Sequence, residues 1–363
     1  MKRSLVTGFT LTELLVVVAV VTMVAAIVIP VLTTAQTAAE ATQCTSRLKQ
    51  LATATVLYAQ DHGQVLPGAK SYWDAIAVPT TAKTENGLAN AYVYNNCVAG
   101  AKVSDIDFPA ETLLLADGQH LATPAKDAEP ATYANVAYGI ADLALRHDGA
   151  CNVAYLDGHV AMTTTPRPWI KVLLDGFEGT EGYSYTLDGQ GDFTPSLKGM
   201  ALSPCQDTPY QGKSCLKAPY EFSTKGGNFR VNFGKLHRFT TMLHGATFWV
   251  RDVEDSGLKA GGNSYYLVTV DTQSEVFCWR MKSMKANDDA RQPGWHGFTI
   301  DCDTVTPNMW AGNPANKMID GNQQQGYLHL DTISGDGIAS KGTKYLDNLI
   351  VEVERPRASL FAK

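Results

Sequence analysis

Phe9-Thr10-Leu11-Thr12-Glu13-Leu14-Leu15-Val16-Val17-Val18-Ala19-Val20-Val21-Thr22-Met23-Val24-Ala25-Ala26-Ile27-Val28-Ile29-Pro30-Val31-Leu32 is the stretch that decides how this chain is organised. Glu13 is its only charge, and between Leu14 and Ile29 Thr22 is the only polar residue. The run reaches the roughly 20 residues needed to cross a bilayer as a helix. Lys2 and Arg3 precede it, which places the N-terminus on the cytoplasmic side and everything after about residue 33 outside the cytoplasm.

A cleaved secretory signal or a plain signal anchor would share the apolar run. Neither explains Glu13, because a carboxylate inside such a segment costs about 2.5–3.5 kcal/mol on insertion scales and is retained for a function. Neither explains Gly8-Phe9 at the polar-to-apolar boundary.

Helix signals continue beyond the run. Ala35 to Ala41 is alanine-rich, Leu48, Leu51, Ala54 and Tyr58 recur at helical spacing, and Asp61-His62-Gly63 reads as a stop. One helix from about Thr10 to Asp61 would be roughly 75–80 Å long. Its first half would meet lipid or other helices, and its second half a sheet. Pro30 removes a backbone donor and crowds the preceding turn, so a kink or local melting is expected there.

Thr7-Gly8-Phe9-Thr10-Leu11-Thr12-Glu13-Leu14-Leu15-Val16-Val17 resembles the processing site of type IV prepilins and type II secretion pseudopilins. The resemblance implies that a prepilin peptidase cuts Gly8–Phe9, removing a leader of residues 1–8, and methylates Phe9. It also implies that Glu13 pairs with the amino terminus of a neighbouring subunit during filament assembly, and that Pro30 is the helix proline common in pilins. The implied partners are the peptidase, other pilin or pseudopilin subunits, the inner-membrane assembly machinery and the lipid bilayer. The implied location is the bacterial inner membrane, single-pass, with the globular part periplasmic or extracellular.

Residues 63–165 read as a small antiparallel sheet. Asn152 to Leu156, Asp157-Gly158 and His159 to Met162 form a hairpin signal, the Asp-Gly pair suiting a type I′ turn. Arg146 to Ala150 reads as a loop. His147 and Asp157-Gly158, with nine residues between histidine and aspartate, resemble the H-x9-D-G motif associated with prepilin-type processing. Cys44 with Leu48-Lys49-Gln50-Leu51, and Phe108-Pro109 with Leu113-Leu114-Leu115, extend that resemblance over residues 1–165. His147 and His159 raise a metal reading, but no third ligand stands beside them in sequence, so a structural histidine bonded across the loop is the simpler expectation.

Thr163 to Pro168 marks a boundary. Residues 166–363 hold short strand-like runs at 229–233, 246–250, 265–270, 275–281, 297–301, 326–330 and 349–353, separated by Gly, Asn and Asp clusters, which is the pattern of a β-sandwich. Leu173 to Glu178 and Tyr345 to Glu352 resemble the ends of the jelly-roll fold of carbohydrate-binding modules. That likeness implies a structural Ca²⁺ between Glu178 and Asp347, with Asp175 less secure. Two carboxylates supply only part of calcium's oxygen shell. Among the aromatic residues, Tyr210, Tyr220, Trp279, Trp295 and Trp310 are sugar-stacking candidates. Trp279 sits in an apolar run and reads as core, whereas Trp295 and Trp310 lie in polar surroundings.

The expected architecture is therefore an α+β pilin-like part, with a long helix over 9–62 on a small sheet, followed by an all-β sandwich. Composition agrees: 45% hydrophobic and 18% charged residues exclude disorder as the main state, and a net charge of −6 without a basic stripe excludes nucleic acid as a partner. Seven cysteines without a CxxC pair point, in an exported chain, to disulfides with one thiol left over. The candidate pairs are Cys44 with Cys97, Cys205 with Cys215, and Cys278 with Cys302. No GxSxG, HExxH or P-loop occurs, and Asp252 and Glu254 lack a placed second acid, so no enzyme is expected and no cofactor is required. Two roles remain. One is a structural subunit, minor because of its bulk, of a pilus or secretion pseudopilus. The other is an anchored extracellular module that binds polysaccharide.

Overall fold

The computed structural model describes residues 11–68, 72–76, 92–118, 143, 145–179, 185–233, 243–253, 258–270, 276–284, 294–305, 308–311, 325–334, 340–354 and 356. Gly8 and Phe9 lie outside the described residues, as do Glu254 and the side chains of Asp252 and Trp310.

Helix α1 (Leu11–Asp61) runs without interruption through Pro30. The local melting expected at Pro30 does not occur. The helix stays regular on both sides, and Thr33 and Thr34 turn their hydroxyls back onto the Pro30 carbonyl, at 2.8 and 3.0 Å. The helix changes character along its length. Leu14, Val18, Val21, Ile27 and Leu32 are all exposed, whereas Leu48, Leu51, Ala52, Thr55 and Ala59 are fully buried. The buried stripe is turned slightly from the expected one, with Ala52 and Thr55 inside and Ala54 and Tyr58 at the margin. Thr55 is admitted because its hydroxyl bonds the Leu51 carbonyl at 2.8 Å and lies 2.6 Å from the Tyr72 hydroxyl.

The second half of α1 packs on an antiparallel sheet of β1 (Tyr92–Tyr94), β2 (Leu113–Asp117), β3 (Cys151–Tyr155) and β4 (Val160–Thr163), in that spatial order. The β3–β4 turn departs from the expected type I′. Gly158 has φ +89° but Asp157 is not left-handed. Bonds from Gly158 N to Tyr155 O and from Tyr155 N to His159 O make a three-residue loop ending in a bulge glycine. The doubly left-handed turn lies at Asp148 (φ +50°) and Gly149 (φ +80°), where His147 and Ala150 exchange both backbone bonds.

The remaining strands are β5 (Ile170–Asp175), β6 (Tyr185–Phe193), β7 (Ala201–Leu202), β8 (Pro204–Cys205), β9 (Cys215–Phe233), β10 (Leu243–Val253), β11 (Leu258–Val270), β12 (Val276–Arg280), β13 (Lys282–Ser283), β14 (His296–Asp301), β15 (Asn308–Ala311), β16 (Gln325–Ser334) and β17 (Ser340–Val353). Among the described residues they hydrogen-bond antiparallel in the order β13-β14-β10-β17-β9-β16-β11-β12-β15, with β5 beside β17 and β6 and β8 beside β9. The network forks at β9, which pairs with β17 along its first half and with β16 along its second. The two branches pack face to face. Tyr265 of β11 meets Phe248 of β10 and Phe298 of β14, at ring separations of 5.5 and 4.4 Å. This is the two-layer sandwich expected over 166–363.

Each of the seven strand-like runs falls within or nearly within an observed strand. β6 was missed because Gly and Asp alternate through it, and the first half of β9 because Pro219 interrupts it.

Candidate functional site

One edge of the sandwich gathers most of the residues with chemistry to offer. β17 carries an extra residue relative to β10: Thr247 pairs with Ile350, but Trp249 pairs with Asp347. Asn348 takes the left-handed conformation (φ +47°) at this bulge. Bulges re-aim side chains, and here the Asp347 carboxylate turns to the loop between β8 and β9. It accepts from Tyr210 N at 2.7 Å and Gln211 N at 3.2 Å through one oxygen, and from Asn348 N at 2.8 Å through the other. Glu178 grips the same loop further along, accepting from Lys213 N at 2.8 Å, while its other oxygen lies 3.1 Å from the Ser214 hydroxyl, whose one proton it shares with the Phe177 carbonyl at 3.0 Å. Gly212, with φ +76°, is required here, since a Cβ would overlap the Glu178 carboxylate.

Asp347 is fully buried, and burial, with the nearby negative charge of Glu178 adding to it, pushes its carboxyl up to about 6. The two acids thus hold neighbouring parts of one loop. Three of their four oxygens accept backbone N–H bonds and the fourth faces the Ser214 hydroxyl, so the pair clamps the loop by itself, and a calcium ion would have to share those oxygens. Asp175 is not part of this arrangement. It is buried and accepts from Phe177 N and the Tyr185 hydroxyl, both at 2.7 Å.

The clamped loop presents Tyr210, whose ring stacks on Trp249 (4.1 Å, 16°) and meets Trp295 edge-on (5.9 Å, 60°). Tyr210 is 41% exposed, and Trp249 and Trp295 are half-buried. The Trp249 ring lies so close over Gly297 that a Cβ there would come within 2.7 Å of it. Trp295 thus stands half-buried beside Tyr210, and Trp249 is the member that sequence reading missed. It shares the outward-facing side of β10 with Thr247 and Arg251, opposite the buried Ala246, Phe248 and Val250. Trp279 and Tyr220 are core residues.

Cys44, Cys97, Cys151, Cys205, Cys215 and Cys302 stand as free thiols. Cys205 and Cys215 face each other as a registered pair with Sγ atoms 3.9 Å apart, at the base of the Tyr210 loop. Cys278 and Cys302 do not lie on neighbouring strands, since β12 and β14 belong to different branches of the network. Cys97 is half-buried near the charge of Glu354, whereas Cys44 lies beside Tyr92 and Asp117.

In the N-terminal half, Glu13 sits in the exposed apolar part of α1. The H-x9-D-G residues serve two separate places. Asp157 accepts from His159, through the backbone N at 3.0 Å and at 2.6 Å from the ring Nδ1. His147 lies instead against Asp117, Nε2 to Oδ2 3.1 Å.

No family model matches the chain, and no curated protein matches it. Among solved structures it is similar to a carbohydrate-binding module of the β-sandwich superfamily, with 15% identity and a TM-score of 0.28, over 55% of this chain and 71% of that one. It is similar to a carbohydrate-binding module specific for non-crystalline cellulose, with 15% identity and a TM-score of 0.27, over 51% and 95%. A third likeness is the xylan-binding CBM22-1 domain of Paenibacillus barcinonensis Xyn10C, with 9% identity and a TM-score of 0.25, over 47% and 86%. Scores this low carry no argument about ligand or activity.

Proposed function

We propose that this chain is a membrane-anchored, exported binding protein whose sandwich grips polysaccharide at the Tyr210–Trp249–Trp295 edge. The aromatic edge is the observation that carries this reading. Three rings gathered at a surface, one of them on a loop held by two carboxylates, form a stiff apolar cluster whose exposed member, Tyr210, can stack on the C–H face of a sugar ring. The role is binding rather than catalysis. The anchor is the first half of α1, which is long and apolar enough to cross a membrane and has no buried residue in its apolar window. The N-terminus is then cytoplasmic in the bacterial inner membrane and the sandwich lies outside it.

The test is glycan-array binding by the full chain in detergent. Binding should fall at least about tenfold in Tyr210→Ala and Trp295→Ala, since such rings dominate contact energetics. A blank array, or binding untouched by both substitutions, would remove the polysaccharide reading.

A second reading, compatible with the first, is a minor subunit of a type IV pilus-like or secretion pseudopilus filament, supported by Glu13 as the lone carboxylate of the exposed apolar half. It expects a methylated Phe9 at the mature N-terminus, produced by a prepilin peptidase, and Glu13→Ala that is cleaved but not assembled. An N-terminus at Met1 would sink it. We propose also that Ca²⁺ stabilises the Glu178–Asp347 pair. The mutual repulsion of two carboxylates supports this, and melting with calcium or chelator tests it.

A further inference from the structure

We propose that Cys44, Asp117 and His147 form a binding site for a transition metal of the zinc class. Their ligand atoms all lie within 4.8 Å of one another, although they come from three elements distant in sequence. Cys44 projects from α1, Asp117 ends β2, and His147 opens the tight turn before β3. Sheet packing against the helix brings them together, which is why sequence spacing gave no third ligand for His147.

Two observations point to a ligand at these residues. Asp117 is fully buried, yet its Oδ1 has no hydrogen-bond partner. The His147 side chain is 9% exposed, and its Nε2 approaches Asp117 Oδ2 at 3.1 Å without making a hydrogen bond. Buried polar atoms in native proteins are satisfied as a rule, and an exception in a cluster of this chemistry calls for an ion or water. Other features of the site are already built. Asn152 N holds Asp117 Oδ2 at 2.8 Å, and the left-handed pair Asp148-Gly149 fixes the backbone of His147. Oriented ligands of this kind are what a metal site requires.

The donor set selects the metal class. One sulfur, one imidazole nitrogen and one carboxylate oxygen suit zinc and its borderline neighbours, not calcium or magnesium. Zinc bonds of about 2.0–2.3 Å set ligand atoms roughly 3.3–3.8 Å apart in a tetrahedron. The Asp117–His147 separation is already close to this. Three protein ligands leave a fourth position to water. Bound metal would pin the helix to the end of one strand and the start of another. His147 of the H-x9-D-G spacing would then be a ligand, and Asp157-Gly158 the turn that sets the β3–β4 hairpin beside it.

The full chain, purified in detergent and stripped with chelator, is loaded with ZnCl₂ and dialysed, and its metal content is measured. In parallel Co²⁺ replaces zinc and the absorption spectrum is recorded. One zinc per chain should be retained, and cobalt should give a thiolate charge-transfer band. Cys44→Ser should abolish the band. Cys44→Ser and His147→Gln should each weaken zinc binding more than about 100-fold, beyond what loss of an outer-shell partner costs, while Cys97→Ser leaves both intact. Circular dichroism confirms that the variants are folded. Should Cys44→Ser fail to fold, alkylation of the wild-type chain decides: zinc should protect Cys44 from a thiol reagent. Absence of retained zinc, a folded Cys44→Ser chain with wild-type affinity, or equal Cys44 alkylation with and without zinc would each overturn the proposal.

Discussion

Arg167 reaches Glu352 with two nitrogens, Nε at 2.8 Å and Nη2 at 2.7 Å, and so ties the segment between the two sheets to the last strand of the sandwich. The same guanidinium meets Asp301 at 2.5 Å and Asp303 at 3.6 Å. A planar fork serves several carboxylates in a way that lysine cannot. The 163–168 segment, which reads as a boundary in sequence, is thus built into the structure. Asn95 Nδ2 donates to Leu113 O at 2.7 Å in the small sheet and to Pro168 O at 2.8 Å. Lys171 pairs with Glu111 at 2.6 Å across the same junction.

Replacing Arg167 leaves three carboxylates facing one another. The groups are partly exposed, so the loss lies between that of a surface pair and a buried one, about 1–3 kcal/mol. Arg167→Ala should lower the urea midpoint accordingly, and Arg167→Lys should recover only part of it. A sandwich fragment that begins before Arg167 should likewise melt higher than one that begins at Pro168. A fragment from Pro168 that melts like one from Thr163 would contradict this.

His244 gives the junction a pH dependence. Its ring is buried and stacked on Trp169 at 3.4 Å, with Nδ1 2.7 Å from Asp303 and Nε2 3.4 Å from Glu354. Burial alone would lower its pKa, but the bonds to the two acids outweigh burial and hold it above the usual value. A raised histidine contributes stability that is fully present below the unfolded pKa near 6.5 and is lost as pH rises through the folded value. The urea midpoint should therefore fall from pH 6 toward pH 8.5, and His244→Asn should flatten that fall. A wild-type slope retained in the mutant would assign it to other groups.

The long helix was legible because its signals are local. A continuous apolar run, alanine and a stop residue need no partner to be read. The sandwich strands carried by β-branched and aromatic residues were legible for the same reason. The candidate sites were only half legible. Glu178 and Asp347 are far apart in sequence but lie in the opening and closing segments of the sandwich that a family likeness picks out. Trp249 and Asp117 look like ordinary strand residues, and their roles arise from the loop that Tyr210 brings over β10 and from helix packing, which are long-range events. The three-residue turn at Asp157-Gly158 shows the limit of dipeptide rules, since flanking pairing chooses between two turns that both accept Gly.

Cys205 and Cys215 are the pair most ready to bond. They sit opposite each other in register, and closing them would staple the loop that carries Tyr210. Burial, followed by the nearness of Cys205, pushes the Cys215 thiol up to about 12, which keeps the reactive thiolate scarce at neutral pH. Peptide mapping of exported protein under non-reducing conditions should show Cys205–Cys215 and leave Cys278 and Cys302 unlinked. Recovery of Cys205 and Cys215 as free thiols would count against export to an oxidising space.

Asp347 offers the sharpest test of the aromatic loop. Its folded pKa of about 6 exceeds the unfolded value of about 3.9, because the carboxyl is buried beside Glu178. A raised acid has the opposite sign to a salt-bridged one. The folded state holds the extra proton between these values, so stability from this group is greatest below pH 4 and declines as pH rises through 6. A two-unit difference corresponds to about 2–3 kcal/mol. In chelator, the melting temperature should therefore drop between pH 4.5 and pH 7, and Asp347→Asn should reduce that drop. A calcium ion between Glu178 and Asp347 would favour the ionised form and raise stability at pH 7 by mass action. Calcium should then restore the wild-type melting temperature at pH 7 and leave Asp347→Asn unmoved. If calcium shifts neither protein, the acids are a clamp on the loop without an ion. Asp347→Ala should in that case still weaken glycan binding, because Tyr210 N and Gln211 N lose the acceptor that holds the ring against Trp249.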